Sequence, residues 1–231
     1  MASSASARST RAALAACVAG GLLALSACGP TGGGSSGAKQ ANPAPAATKG
    51  AGAGTGTGPS WVLTTPATAA GYQQGQPAAD LIQQYDTDMQ QSTRKLGISG
   101  TPVHAYYDDQ ADGAWIFYSG LNGTGFDPDK LHDALDQLPA TRDDGAGDRM
   151  TTSALDTDPG PHGGRAICDT TLVQAGLLTT AATTCSWFTT TTAAGVTLLL
   201  KGDGTNTKLG FTATDVAPIM RAVRADVEQR H

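Results

Sequence analysis

The side chains that could carry acid–base chemistry here are aspartates and a few histidines. Glu228 is the one glutamate among twenty acidic residues, and its place near the C-terminus predicts a frayed end rather than a site. A glycosidase pair would therefore need two aspartates. A cell-envelope hydrolase using aspartate with His104 or His132 is one alternative, but no nucleophile elbow, nucleotide loop or His-Glu-x-x-His motif is present. The sequence predicts no catalytic residue.

Clustered aspartates raise the question of a metal. Asp108, Asp109 and Asp112 could ligate calcium with backbone carbonyls, but their spacing does not match an EF-hand loop. A solvated turn is the better interpretation. The same holds for three further aspartates, Asp143, Asp144 and Asp148. The sequence therefore predicts no metal site and no cofactor.

Another kind of chemistry is indicated at the N-terminus. Arg8 and Arg11 precede an apolar run that ends in Leu25-Ser26-Ala27-Cys28, which is the charge, hydrophobe and small-residue order of a signal peptide. These four residues resemble a bacterial lipobox. The resemblance implies cleavage before Cys28 and a diacylglycerol linked to its sulfur. The run from Ala12 to Leu25 is shorter than the roughly 20 residues that span a bilayer.

The four cysteines fall into two groups. Cys17 leaves with the signal peptide and Cys28 is the lipid-bearing residue, which leaves Cys168 and Cys185 in the exported domain. Outside the cytoplasmic membrane two such thiols are expected to form a disulfide. The alternatives are a metal site and a nucleophile, but no histidine stands near either cysteine at a zinc-like spacing.

Composition divides the chain into three parts. Residues 1–27 form the predicted signal peptide, 28–60 a Gly, Ser, Pro and Ala tether too poor in apolar residues to fold, and 61–231 one domain. The domain holds eleven Lys and Arg against twenty acids, a net charge of −9. Nucleic acid is thereby disfavoured as a partner, and an anionic membrane surface would repel the domain.

Three helices are predicted in the domain. The first begins at Pro77 and ends at Gly97. The second has Asp127 as its N-cap, Pro128 in its first turn and Phe126 placed to pack on Leu131. The third begins near residue 214. Its apolar side chains recur at helical spacing: Val216, Ile219, Met220, Val223 and Val227.

Short β-branched and aromatic runs predict the strands. They are 61–63, 103–107, 114–118, 165–173, 183–190, 195–200 and 207–211. The segment 140–164 is predicted to be a long loop, either functional or, more simply, disordered. Short turns between neighbours favour an antiparallel sheet, so we expect an α+β two-layer sandwich with about three helices on one face. A weak internal ββα duplication is also suggested.

Cys185-Ser186-Trp187, with its threonine run and Gly195-Val196 strand, resembles a Cys-x-Trp box. That box occurs in exported and membrane-anchored actinobacterial proteins with no established activity, so the resemblance implies location only. We expect Trp187 to pack on the disulfide.

These observations predict a lipoprotein on the outer face of the cytoplasmic membrane. Its partners would be the membrane that holds its lipid anchor and an envelope protein or small ligand, bound without catalysis. A hydrolase and a regulator of a membrane protein are the alternatives. If the domain regulates a membrane protein, we expect an exposed apolar patch on its surface. If it binds a small ligand, we expect a pocket.

Overall fold

A computed structural model describes residues 59–137, 141–143, 149–202 and 208–231, with only the backbone described at 142 and 143. The predicted signal peptide, Cys28 and all but the end of the predicted tether lie outside the described residues. In the part described, no helix is both long and apolar enough to cross a membrane.

Three helices and eleven strands make up the described domain. The helices are α1 (Ala79–Leu96), α2 (Pro128–Asp136) and α3 (Ala213–Val227). The strands are β1 (Trp61–Leu63), β2 (Thr68–Ala69), β3 (Tyr72–Gln74), β4 (Thr101–Asp109), β5 (Ala114–Asn122), β6 (Thr141–Asp143), β7 (Arg149–Asp156), β8 (Arg165–Ala175), β9 (Leu178–Phe188), β10 (Thr192–Leu200) and β11 (Glu228–Arg230).

Nine of these strands form one sheet, in the order β2-β3-β4-β5-β10-β9-β8-β7-β6. All of its neighbouring strands are antiparallel. β1 and β11 pair separately as a two-stranded sheet, so the first and last strands of the domain lie together. The α+β class, the antiparallel sheet and the three helices are confirmed.

The helices cover both faces of the sheet, whereas the sequence predicted helices on one face. Along β5, Phe117 packs with Tyr85 of α1, while the next residue, Tyr118, lies in the cluster formed with α3. Successive side chains of a strand point to opposite faces, which places α1 and α3 on different sides. α2 lies on the same face of the sheet as α1, because Leu131 of α2 packs with Ala193 on that face. The two strand–strand–helix units, β4-β5-α2 and β9-β10-α3, thus have their helices on opposite faces.

Capping residues mark the first turns of α2 and α3 in the structure. The Asp127 carboxylate accepts a hydrogen bond from the Lys130 backbone at 3.2 Å, and Phe126 shares a buried cluster with Leu131. Thr212 and Asp215 form a capping box at the start of α3. Each cap needs only residues within one turn. The sequence predicted the cap at Asp127, whereas for α3 it predicted only a start near residue 214.

Two strand predictions need correction. The segment 140–164 contains β6 and β7, and β7 pairs with β8 from Arg149↔Gln174 to Asp156↔Ile167. β7 is held in the sheet by its pairing with β8, and its own sequence has no apolar pattern from which a strand could be predicted. The predicted strand at 207–211 is reduced, within its described part, to a bridge between Gly210 and Ala181.

Candidate functional site

Glu228, the first residue of β11, carries a carboxylate whose side-chain exposure is 0%. Each of its oxygens has two partners. Oε1 accepts from Trp187 Nε1 at 3.1 Å and from the Thr192 hydroxyl, and Oε2 accepts from Arg224 Nε at 2.7 Å and lies 3.0 Å from His162 Nδ1. The carboxylate therefore joins α3, β9, β10 and the loop before β8.

Arg224 is the positive partner of this group, and its side chain is also 0% exposed. Its Nη1 donates to the Pro159 carbonyl at 2.7 Å, while Nη2 has no partner among the described residues. Burial lowers the pKa of Arg224, and the Glu228 carboxylate opposes that shift. The charge of the arginine is thus held in the core by one carboxylate.

The prediction that Glu228 sits at a frayed end is wrong. The C-terminal strand is fixed by pairing with β1, and the Trp61 ring stacks on His162 with centroids 4.0 Å apart. A glutamate–histidine pair can transfer protons in an open site. Here both carboxylate oxygens are occupied and inaccessible, so the arrangement stabilises the fold instead.

His132 on α2 is the predicted histidine that the structure does bring to aspartates. Its Nε2 lies 2.6 Å from Asp156 Oδ1 and its Nδ1 lies 3.4 Å from Asp133 Oδ1. Arg165 Nη2 lies 3.3 Å from both ring nitrogens. The His132 side chain is only 6% exposed, so its nitrogens are engaged by neighbours rather than presented to a substrate.

Asp169 of β8 lies close enough to this cluster to interact electrostatically with His132 and Asp136. Its Oδ1 is buried and has no hydrogen-bond partner among the described residues. Burial, with a smaller contribution from Asp136, raises the pKa of Asp169 from 3.8 to about 7, and His132 partly opposes the shift. A carboxyl group with that pKa changes charge near neutral pH.

Because of Asp169, the free energy of unfolding should fall as the pH rises. The folded state keeps a proton on this carboxyl up to a pKa of about 7, whereas the unfolded chain releases it near 3.8. Between pH 5 and 7 the free energy of unfolding should therefore drop by about 2 kcal/mol. Asp169→Asn should remove this decrease and stabilise the domain at pH 7. Urea unfolding across this pH range measures the decrease. Asp133→Asn is the control, in which the free energy of unfolding should still fall with pH. An unchanged slope in Asp169→Asn would contradict the assignment.

The other candidate residues are not gathered into a site. His104 is exposed, and the centroid of its ring lies 5.8 Å from that of the Tyr106 ring. Asp108 and Asp112 pair with Lys201 and Lys208. The Asp143 side chain, Asp144 and Asp148 lie outside the described residues. In the described parts of the chain, no group of three or more His, Cys, Asp or Glu could hold a metal ion.

An apolar groove of about 250 Å³ opens where β9 and β10 part. The two strands pair only from Phe188↔Ala193 to Thr184↔Thr197 in the described chain. Beyond that point Leu209 accepts a hydrogen bond from the Ala181 backbone at 2.8 Å. The lining residues are Thr180, Ala181, Ala182, Leu198, Leu199, Leu200, Lys208, Leu209 and Gly210.

Exposed leucines surround this end of the sheet. Leu177 lies in the two-residue turn between β8 and β9, after Gly176 with its φ of +61°, and is fully exposed. Leu178 is 50% and Leu209 52% exposed, and Leu172 is 39% exposed. We call these four residues the leucine end. The leucine end was not predicted from the sequence, because the predicted strands 165–173 and 183–190 stop short of the hairpin tip.

The predicted disulfide is present between Cys168 of β8 and Cys185 of β9. The two residues are directly paired in the antiparallel ladder and fully buried. Trp187, 0% exposed, belongs to the same core cluster, and Tyr118 stacks on it at 6.1 Å. The tryptophan and the disulfide thus share one buried core, and direct contact between the ring and the sulfurs stays a prediction.

No protein family and no curated protein matches this sequence. The likenesses to a lipobox and to a Cys-x-Trp box therefore stay predictions.

Proposed function

We propose that this chain is a lipid-anchored protein on the outer face of the cytoplasmic membrane, and that its folded domain acts there as a binding module. The lipobox-like Leu25–Cys28 supports the anchor. Two acyl chains on one cysteine give the stable attachment that a single chain does not. The net charge of −9 in 61–231 is consistent with attachment through a lipid rather than through a basic face.

The groove between β9 and β10 is the observation that carries the binding role. Beyond Thr184 and Thr197 the facing backbones of the two strands no longer pair with each other in the described chain. Leu209 and Gly210 already pair with Ala181 across part of this gap, so a ligand would bind there through apolar contacts with Leu198, Leu199 and Leu200. An envelope protein or a small apolar ligand fits this chemistry. The exposed leucines at its rim also suit the regulator alternative.

The hydrolase alternative would rest on His132 and Asp156. Their 2.6 Å contact does bring a histidine and an aspartate together. The pair lies between α2 and β7, whereas the groove is formed by β9, β10 and residues 208–210. The apolar groove and the histidine are thus on different elements, which favours binding over hydrolysis.

Site-specific photocrosslinking in living cells tests this proposal. A photoreactive residue at Leu209 should capture a partner. One at Gln229, on β11 beside the strand that follows the tether, should not. Cys28→Ala should release the chain from the membrane and lower capture at Leu209 at least about tenfold, since anchoring raises local concentration. Capture that is equal at both positions would contradict the groove. A Cys28→Ala chain that stays on the membrane would contradict the anchor.

A further inference from the structure

The leucine end lies at the opposite end of the sheet from the tether. β1, which begins right after Ser60, is bound to Thr191 and Asn122, next to where β10 begins and β5 ends. β9 leads from Leu178 at the leucine end to Phe188 near β1. Its eleven residues separate the two ends by about 35 Å, at 3.3 Å per residue.

Charge distinguishes this hairpin from the rest of the domain. The 31 residues from Thr170 to Leu200 contain no Asp, Glu, Lys or Arg, although 61–231 has a net charge of −9. Charge or proline on an exposed edge strand discourages contacts with other chains. The hairpin between β8 and β9 has neither. Arg149, paired with Gln174, and Lys208 of the groove flank it, so its tip is the part that can enter an apolar surface without burying a charge.

The length of the proposed tether fits a domain placed with this end toward the membrane. If residues 28–60 form the flexible tether that their composition predicts, their 33 residues would have an average span of about 30 Å. That matches the distance of about 35 Å between the tether end and the leucine end, so an anchor on the bilayer reaches Ser60 without stretching. Both the anchor and the hairpin tip can then contact the same leaflet.

From these observations we infer that Leu177 and Leu178 insert into the interfacial region of the bilayer that holds the lipid anchor, so that the groove opens at the membrane surface. This inference rests on the proposed anchoring. The contact is apolar and the domain is acidic, so anionic lipids should weaken it. The groove would then receive apolar segments or ligands that lie at the membrane surface.

The test uses the full acylated chain in phosphatidylcholine vesicles. An environment-sensitive fluorophore is attached at Leu177→Cys or, as the matched control, at Gln229→Cys; Cys168 and Cys185 are buried in the disulfide and do not compete. We expect blue-shifted emission and quenching by bromine-labelled acyl chains at position 177, and water-like emission at 229. Adding phosphatidylglycerol should reduce the quenching at 177, and Leu178→Ser should reduce it further.

Water-like emission at both positions in vesicle-bound protein would overturn the inference while leaving the anchor intact. If the signal at 177 instead depends on protein concentration, the leucine end binds a second copy, and the inference also fails. A shift at 177 that appears only with an added membrane protein would assign the surface to that protein. Failure of the chain to enter vesicles at all would mean that the proposed anchor is wrong, which separates the two hypotheses.

Discussion

Glu228→Ala is expected to lower the free energy of unfolding by about 3–5 kcal/mol, the cost of leaving a buried partner charge uncompensated. Arg224 would keep its charge in a site with no side-chain exposure, and its Nη2 already has no partner in the described chain. Trp187 Nε1 and the Thr192 hydroxyl would lose their acceptor as well. Urea unfolding at pH 7 measures the change.

Two comparisons separate this effect from general damage to β11. Gln229→Ala, one residue along the same strand, removes an exposed side chain and should change stability by less than about 0.5 kcal/mol. Arg224→Met combined with Glu228→Gln should recover much of the loss, because removing both charges leaves neither one unpaired. A loss below about 1 kcal/mol in Glu228→Ala would show that the ion pair is not a main support of the fold.

Removing the disulfide is expected to have the second largest effect. Cys168 and Cys185 are 17 residues apart, and opening a loop of that size costs about 3 kcal/mol through the unfolded state. The sulfurs also fill space in the buried core cluster that contains Trp187, so Cys168→Ala with Cys185→Ala should be destabilised by at least this amount.

Thermal unfolding with and without a reductant provides the control. The reductant should lower the midpoint of the wild-type chain once unfolding exposes the bond, and it should leave the double alanine variant unchanged. Equal midpoints for the oxidised wild type and the double variant would mean that the bond adds nothing beyond packing.

The hydrogen-bonding roles of buried side chains were beyond the reach of sequence patterns. Glu228 looked terminal because only β1, more than 160 residues earlier, pairs with it. The groove is formed by β9, β10 and residues 208–210, which share no local motif. One usable signal was overlooked, namely the uncharged run from Thr170 to Leu200.

The sequence by itself determined the features that depend on a few neighbouring residues or on a simple pairing choice. Asp127 and Pro128 start α2, the residues around Asp108–Gly113 join two strands, and two cysteines left in one domain pair with each other. Only the tertiary structure decided that helices cover both faces, that β7 belongs to the sheet, and that Glu228 lies in the core. Each of these depends on which distant strand lies alongside, and the free energy of that pairing is not encoded in any local window.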